Sequence, residues 1–339
     1  MDAGGLTDQP GKRPRMDALL ALSPLDRLLL GMEIPAAEPS LPASSPRWIA
    51  VRPRFTQFHQ NLRVTEAQFK DADTKYSGVA RSLSRAYYGD SSVEHSFAIG
   101  SWAKQTATRP PRDVDLYFVL PVSVHERFQG NQWNRQSALL QEVRGVLSDT
   151  YPNTELNGDR QVVVVRFDSL NVEVVPAFPL QGGGYLICDT NNGGSYKRTD
   201  PHAEVSHIDA IDRTSNGNLR ALICMAKAWQ AECNVPIKSF QIDLVAANFI
   251  QQSPRRLDDY FWYDWLLRDF FAFLHGQSNR FVMVPGTLEA IPLGDAWKSR
   301  AESAYGRAAK ACDYEDWNCV TLAGEEWQKI FGSAIPRSV

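Results

Sequence analysis

Residues 113–120 read DVDLYFVL, a segment in which two aspartates precede a run of mostly apolar side chains. Successive side chains of a β-strand point to opposite faces of the sheet. Val114 and every second residue after it are apolar and share one face, so Asp113 and Asp115 project together from the other. The pattern predicts a strand that buries one face and presents two carboxylates on the other, where they can bind a metal ion.

A second apolar segment, residues 171–176, reads NVEVVP and carries one carboxylate, Glu173. The valines on either side of it share one face of the predicted strand, and Glu173 lies on the other. If the two strands are neighbours, three carboxylates meet, and like charges a few ångströms apart raise one another's pKa values at a cost in stability. Two Mg²⁺ ions about 3.5–4 Å apart, with Mn²⁺ able to replace them, would make the cluster a site for in-line phosphoryl displacement. We therefore predict that Asp113, Asp115 and Glu173 are both the catalytic residues and the metal ligands.

Gly100 and Ser101 follow the apolar stretch HSFAI at residues 95–99. Glycine lets the backbone approach a phosphate closely, and serine supplies a hydroxyl and an N–H that can bind it. An ordinary turn is the alternative explanation for this pair. The order of features along the chain favours phosphate binding: a strand, Gly-Ser, a polar stretch, the strand with two aspartates, and then a hairpin over residues 161–176 whose second strand ends at Pro176.

This order of motifs resembles the polymerase-β-like nucleotidyltransferases and, within them, the bacterial CD-NTases. CD-NTases are relatives of cyclic GMP-AMP synthase and oligoadenylate synthase that make cyclic oligonucleotide signals in CBASS anti-phage defence. The resemblance covers most of the chain from about Phe55 onward. It is carried by the sequences GS at residues 100–101, DVD at 113–115, EVVP at 173–176, TDP at 199–201, LICMAKAW at 222–229 and KSF at 238–240. The chain departs from the family in having Glu173 where aspartate is commoner, and glutamate can also bind a metal ion.

The resemblance implies an α+β fold with a polymerase-β-like nucleotidyltransferase core, built from a mixed sheet, flanking helices and a long spine helix, followed by a C-terminal helical lobe. We expect the core over residues 47–204 and the lobe over 205–339, after a proline-rich N-terminal extension and linker over residues 1–46. Apolar residues from Phe55 to Ala86 recur at intervals of three, four and once seven, which predicts one long amphipathic helix. That helix fits the spine, and an ordinary core helix is the alternative.

Lys227 lies at the edge of an apolar helical stripe, where an ammonium group that reaches out to solvent is the usual explanation. The resemblance implies instead that Lys227 and Ser239 bind the donor triphosphate and that the ring of Phe240 stacks on the base. An ammonium and a hydroxyl suit a polyphosphate. Together with Gly100 and Ser101, these residues make up the predicted nucleotide-binding set.

The composition is that of a globular protein, with 43% hydrophobic and 22% charged residues in a chain of 339. The 36 basic and 39 acidic residues leave a formal net charge of −3, which argues against a stable nucleic-acid partner. No apolar run reaches the roughly 20 residues of a membrane span and no signal peptide is visible, so we expect a cytoplasmic protein without a membrane partner. The five cysteines show no paired spacing and are expected to be free thiols, with no counterpart of the zinc insertion through which animal cyclic GMP-AMP synthase grips DNA.

The resemblance implies a Mg²⁺-dependent, template-independent nucleotidyltransferase that makes a cyclic di- or trinucleotide in anti-phage defence. ATP is the first expected substrate and GTP the second, so the product contains AMP, with cyclic GMP-AMP as one candidate. The family also implies an effector protein that binds the product, and operon-encoded regulators of the enzyme.

Two alternatives stay open at this point. The chain could be a nucleotidyltransferase that modifies RNA, a protein or a small molecule, or it could be a nucleotide-binding module without catalysis. The three intact carboxylates argue against an idle module, because clustered like charge without a function only costs stability. The motifs do not determine the bases, the ring size or the 2′–5′ or 3′–5′ linkage of a product.

Overall fold

The computed structural model describes residues 47–130, 134–159 and 161–339 of the chain. The extension and linker predicted for residues 1–46 lie outside these residues. The described residues belong to one compact unit. The boundary between a core and a helical lobe after residue 204 stays a prediction.

The predicted spine is present as two helices, α1 (Val51–Leu62) and α2 (Glu66–Tyr87), rather than as one. The break has a local cause at Thr65, the N-cap of α2. Its hydroxyl accepts a hydrogen bond from the Gln68 N–H at 3.2 Å, and the Gln68 side chain accepts one from the Thr65 N–H at 3.0 Å. This reciprocal arrangement is a capping box, which starts a new helix. The single seven-residue interval in the apolar pattern spans the break.

Among the described residues, seven strands form a mixed sheet. They are β1 (Ser96–Ala98), β2 (Asp113–Val119), β3 (Glu155–Asp159), β4 (Val162–Arg166), β5 (Asn171–Pro179), β6 (Tyr185–Asp189) and β7 (Ser195–Thr199). Their order is β1-β2-β5-β4-β3, and β6 pairs with β5 and β7. Strands β2 and β5 are parallel, whereas the other pairs are antiparallel. The helices between these strands are α3 (Gly100–Ala103), α4 (Val122–Gln129) and α5 (Arg135–Thr150). The predicted mixed sheet with flanking helices is confirmed.

Strand β5 is longer than the sequence suggested, because it continues through Pro176 to Pro179. Proline lacks an N–H and is poorly tolerated inside a central strand. Here β4 pairs with β5 only as far as Val174, and β6 begins to pair at Ala177. Pro176 therefore occupies the gap between two neighbouring strands, and the strand end predicted at this residue is corrected to Pro179.

Helices α2 and α5 pack on one face of the sheet. Against them lie the apolar side chains that alternate along β2, Val114, Leu116 and Phe118, each no more than 3% exposed. The predicted alternation is thus confirmed. Burial of these side chains fixes the register of β2, since a slip by one residue would move all of them to the opposite face.

The C-terminal part of the described chain is mainly helical, as predicted. Its helices are α6 (Pro201–Thr214), α7 (Asn218–Glu232), α8 (Ser239–Gln252), α9 (Tyr263–His275), α10 (Lys298–Asp316) and α11 (Val320–Phe331). It also contains a short hairpin, β8 (Phe281–Met283) and β9 (Ala290–Pro292), which the sequence pattern did not reveal. Within the described ranges, no helix has the length and hydropathy that a bilayer crossing requires.

A buried ion pair joins α1 to α10. Arg54 is fully buried, and its Nη1 lies 3.2 Å from Oε1 of Glu315, which is also buried. Its Nη2 donates a hydrogen bond to the carbonyl oxygen of Val320 at 2.7 Å. Burial lowers the pKa of Arg54, and the charge of Glu315 opposes that shift. These contacts connect the first described helix to the last two.

Candidate active site

A cleft of about 600 Å³ is lined by the sheet on one side and by the C-terminal helices and the hairpin β8–β9 on the other. Every predicted site residue except Glu173 lines it: Gly100, Ser101, Asp113, Asp115, Lys227, Ser239 and Phe240. The cleft therefore gathers residues from β2, α3, α7 and α8 that are far apart in the sequence.

The three carboxylates come from two neighbouring strands. Asp113 and Asp115 lie at the start of β2, and the parallel pairing with β5 sets Asp115 opposite Glu173 and Asp113 opposite Asn171. Residues that face each other in adjacent strands project from the same side of a sheet. Strand register thus places all three carboxylates on one face.

The electrostatic environment of these groups is unfavourable to negative charge. Burial, followed by the charges of Asp113 and Glu173, raises the pKa of Asp115 from 3.8 to about 7. Burial also raises the pKa of Asp113. Lys227 acts in the opposite direction on both aspartates, and Lys104 does so on Asp115. The two lysines do not fully offset the combined effect of burial and clustered negative charge on the pKa of Asp115.

The donor chemistry of the carboxylates fits a divalent cation. Mg²⁺ prefers carboxylate oxygens, and the raised pKa of Asp115 marks a place where an added positive charge would be stabilising. The side chains are not arranged as a preformed metal site, since no group of three or more His, Cys, Asp or Glu with that geometry occurs in the part of the chain that the structure describes.

Gly100 makes room for one of these carboxylates. Its backbone has a φ of +61°, and a Cβ at this position would lie 1.9 Å from Oδ2 of Asp115. The sequence suggested glycine for a close approach to phosphate, and the structure adds a contact within the protein that also demands it. The next residue, Ser101, is half-buried in α3 and lines the cleft.

Lys227 does not extend to bulk solvent. Its side chain, on α7, is only 9% exposed. The ammonium donates a hydrogen bond to Oγ1 of Thr106 at 3.0 Å and lies 3.1 Å from Oδ1 of Asp243. A buried ammonium held at the wall of a cleft is placed to bind an anion there.

Ser239 and Phe240 begin α8. The Ser239 hydroxyl donates a hydrogen bond to Oε1 of Gln230 at 2.9 Å and is exposed. The Phe240 ring is half-buried and lines the cleft. The structure therefore brings the serine, the aromatic ring and Lys227 to the same cleft.

The charged residues of the cleft that sequence reasoning missed include a connected group of three, Lys104, Glu204 and Asp243. The ammonium of Lys104 lies 3.2 Å from Oδ2 of Asp243 and 3.3 Å from Oε2 of Glu204. One signal was available, because Asp243 is the only charged residue in the α8 sequence SFQIDLVAANFIQQ. Lys104 had no such signal, since its partners come from distant helices.

Residues 49–211 match the model of the Second Messenger Oligonucleotide or Dinucleotide Synthetase domain. The chain is similar to a probable cyclic nucleotide synthase of Bacillus cereus, with 20% identity over 78% of this chain and 94% of that protein. It is also similar to a cyclic AMP-AMP-AMP synthase of an Acinetobacter strain, with 27% identity over 41% of this chain and 40% of that protein.

Solved structures share the fold. Vibrio cholerae DncV in its apo form has a TM-score of 0.65 at 12% identity, covering 83% of this chain and 96% of that one. Escherichia coli MS115-1 CdnC with ATP has a TM-score of 0.61 at 20% identity, covering 84% and 98%. The CD-NTase CdnG of Bradyrhizobium diazoefficiens in complex with GTP has a TM-score of 0.61 at 11% identity, covering 86% and 96%.

Proposed function

We propose that the chain is a bacterial CD-NTase that joins nucleoside triphosphates into a cyclic oligonucleotide without a template. The observation that carries this proposal is the register of β2 and β5, which sets Asp113, Asp115 and Glu173 on one face of the sheet next to a cleft that also holds Lys227. Relatives named as cyclic nucleotide synthases support it.

The protein's residues would act by position and charge. Lys227 and Ser239, with Gly100 and Ser101, would hold the triphosphate, while the ring of Phe240 stacks on the donor base. No side chain needs to act as a covalent nucleophile.

Asp113, Asp115 and Glu173 would hold two divalent cations, Mg²⁺ or Mn²⁺. When bound, such ions lower the pKa of an attacking hydroxyl and neutralise charge on the leaving pyrophosphate. The carboxylates in turn orient the reacting groups by fixing where positive charge lies in the cleft.

The reaction itself exchanges one phosphorus–oxygen bond for another. A ribose hydroxyl oxygen of the acceptor nucleotide bonds to the α-phosphorus of the donor, the bond between the α-phosphorus and the bridging oxygen breaks, and pyrophosphate leaves with that electron pair while the hydroxyl proton passes to solvent. The linear intermediate keeps a triphosphate at its other end. After it turns over in the cleft, its own hydroxyl attacks that triphosphate and closes the ring.

The product would contain AMP and be a cyclic di- or trinucleotide. A cyclic AMP-AMP-AMP synthase is similar in sequence to part of this chain, and the V. cholerae cyclic AMP-GMP synthase DncV shares its fold. We propose ATP as one substrate and GTP as its first candidate partner. The signal would act in anti-phage defence through an effector protein that binds the product, with operon-encoded proteins as regulators.

The direct test is to incubate the purified protein with all four NTPs and Mg²⁺ or Mn²⁺, treat the mixture with phosphatase and identify resistant products by mass spectrometry. The Asp113→Asn, Asp115→Asn double variant is the control. A resistant cyclic species that is absent from the double variant supports the proposal and identifies the bases. Linear products, or labelled RNA or protein after addition of lysate, would contradict it and favour a conventional nucleotidyltransferase.

Removal of the Asp113 charge should lower the rate of product formation without lowering the stability of the fold. We expect Asp113→Asn to lower the rate of product formation by at least about 100-fold, because it removes a ligand while keeping the shape of the side chain. Its melting temperature should stay at or above that of the wild type, since a like charge next to Asp115 is removed. Asp149→Asn, at an exposed position on α5, is the matched control. Wild-type rates for Asp113→Asn would refute the assignment of the metal ligands.

A further inference from the structure

Lys104 is a buried lysine whose ammonium is fully occupied by the protein. The residue is 3% exposed. Two of its contacts are carboxylates, Oδ2 of Asp243 at 3.2 Å and Oε2 of Glu204 at 3.3 Å. The third is the face of the Phe240 ring, whose centroid lies 4.9 Å from the nitrogen. Two carboxylates and a ring face therefore surround this ammonium.

Lys227 differs from Lys104 although both contact the same carboxylate. Asp243 directs Oδ1 to Lys227 and Oδ2 to Lys104. Among the described residues, the only other polar contact of the Lys227 ammonium is the hydroxyl of Thr106. Lys227 therefore has fewer protein contacts and is the better placed of the two lysines to bind a phosphate in the cleft, whereas two carboxylates and a ring face surround the Lys104 ammonium.

The buried cluster is balanced in charge, with two lysines, Lys104 and Lys227, and two carboxylates, Glu204 and Asp243. Burial lowers the pKa of Lys104, but the two carboxylates outweigh this effect and raise it, so the ammonium stays charged. A permanent cation over an aromatic ring is attracted by the negative electrostatic potential of the ring face. The attraction is stronger here than at a surface, because the ammonium is withdrawn from water.

We infer that Lys104 is a positioning residue for nucleotide recognition, holding the Phe240 ring from one face so that the opposite face is presented to a base. This inference rests on the proposed function, in which Phe240 is the base-stacking residue and Lys227 binds the triphosphate. A ring that is fixed before the nucleotide arrives loses little side-chain entropy on binding. Lys104 then supports base binding without contacting phosphate.

The test compares two ligands with a chain of three phosphorus groups. One is α,β-methylene-ATP, which carries ribose and base and cannot turn over, and the other is inorganic tripolyphosphate, which carries neither. The key variant is the Lys104→Met, Glu204→Gln double variant, which removes one charge of each sign and leaves Lys227 paired with Asp243. Dissociation constants are measured by calorimetry in Mg²⁺, and folding is checked by thermal unfolding. We expect affinity for the ATP analogue to fall about tenfold and affinity for tripolyphosphate to stay within about twofold.

Three further variants sharpen the comparison. Lys104→Arg keeps the cation and should retain most of the preference for the ATP analogue. Lys298→Met, at an exposed position on α10, is the matched control and should leave both affinities unchanged. In a Phe240→Leu background, the double variant should cause no additional loss, because Lys104 acts through the ring.

Any other result would contradict the inference that Lys104 positions the Phe240 ring. If the wild-type protein binds both ligands and the double variant keeps its preference for the ATP analogue, Lys104 does not position the base. Equal losses for the two ligands would assign Lys104 to general support of the cleft. If the wild-type protein binds neither ligand, the proposed function fails together with this inference.

Discussion

The contact between Gly100 and Asp115 shows how tightly single residues are constrained at the site. Gly100 adopts a positive φ, which costs side-chain-bearing residues roughly 1–2 kcal/mol, and its missing Cβ leaves the space that the carboxylate occupies. The need for glycine in a Gly-Ser motif is usually attributed to the close approach of a bound phosphate. Here the neighbouring strand requires it as well.

We expect Gly100→Ala to lower both stability and activity. The strain and the overlap with Asp115 should reduce the free energy of unfolding by at least about 2 kcal/mol, and displacement of the carboxylate should reduce product formation by more than tenfold. Urea unfolding and the mass-spectrometric product assay measure the two effects. The matched control is Gly145→Ala on α5, where an added Cβ meets no atom within 4 Å and alanine should stabilise the helix. Wild-type behaviour of Gly100→Ala would show that the site tolerates a shifted Asp115.

The raised pKa of Asp115 gives the metal-free protein a specific pH dependence. In EDTA, the native state keeps a proton on Asp115 up to about pH 7, whereas the unfolded chain releases it near its ordinary pKa of 3.8. The native state thus binds more protons between these values, and the free energy of unfolding falls as pH rises through that window. We expect a loss of at least about 1 kcal/mol between pH 5 and pH 8.

Chemical unfolding at both pH values, with and without Mg²⁺, measures this effect. The Asp115→Asn variant should lack this part of the pH dependence, and Mg²⁺ at pH 8 should restabilise the wild type but not the variant. Identical pH profiles for the two proteins in EDTA would contradict the assignment of the raised pKa to Asp115.

At the scale of single elements, the alternation of residues along β2 and β5 was sufficient to predict where the carboxylates lie. Apolar and polar side chains alternate in these segments because one face of each strand is buried. The break between α1 and α2 was less visible. The apolar spacing continues across it, and only the capping residues Thr65 and Gln68 mark the new helix start.

The capping box should contribute measurably to α2. We expect Thr65→Ala to lower the free energy of unfolding by about 1 kcal/mol, because the Gln68 N–H loses its partner at the start of the helix. Equilibrium unfolding in urea measures the change. Thr74→Ala, in an exposed part of the same helix, is the control and should be neutral or slightly stabilising. Equal effects of the two substitutions would mean that the break does not depend on the cap.

For the whole molecule, the sequence could predict the class of fold and seven of the residues that line the cleft, but not which charged side chains the helices place beside them. The alternation of apolar residues along β2 and β5 predicts that Asp113 and Glu173 lie on the unburied faces of their strands. The role of Lys104, by contrast, can be recognised only in the folded structure, where α6 and α8 place Glu204 and Asp243 next to it. Contacts between residues 100 or more positions apart leave no periodic signal in one sequence.

The buried pair of Arg54 and Glu315 should be a major stabilising contact between the two ends of the described chain. We expect Arg54→Met to reduce the free energy of unfolding by about 3–5 kcal/mol, because it leaves a carboxylate buried without its arginine. The Arg54→Met, Glu315→Met double variant should recover most of that loss. Arg52→Met removes an exposed ion pair with Asp259 from the same helix and should cost less than about 1 kcal/mol.

Equilibrium unfolding of the wild type and the three variants measures these differences in stability. A loss for Arg54→Met as small as that for Arg52→Met would show that water or a rearranged side chain compensates for the missing guanidinium. A double variant less stable than the single one would show that the shape of the pair, rather than its charge, holds α1 against α10.

The parallel pairing of β2 with β5 has a consequence for protein synthesis. Between these strands the chain must complete α4, α5 and the β3–β4 hairpin, and Lys227 and Ser239 follow only in α7 and α8. A nascent polypeptide still attached to the ribosome therefore lacks part of the proposed site until α8 has emerged. Translation products that end before α8 would lack Ser239 and Phe240, so we expect them to release no messenger.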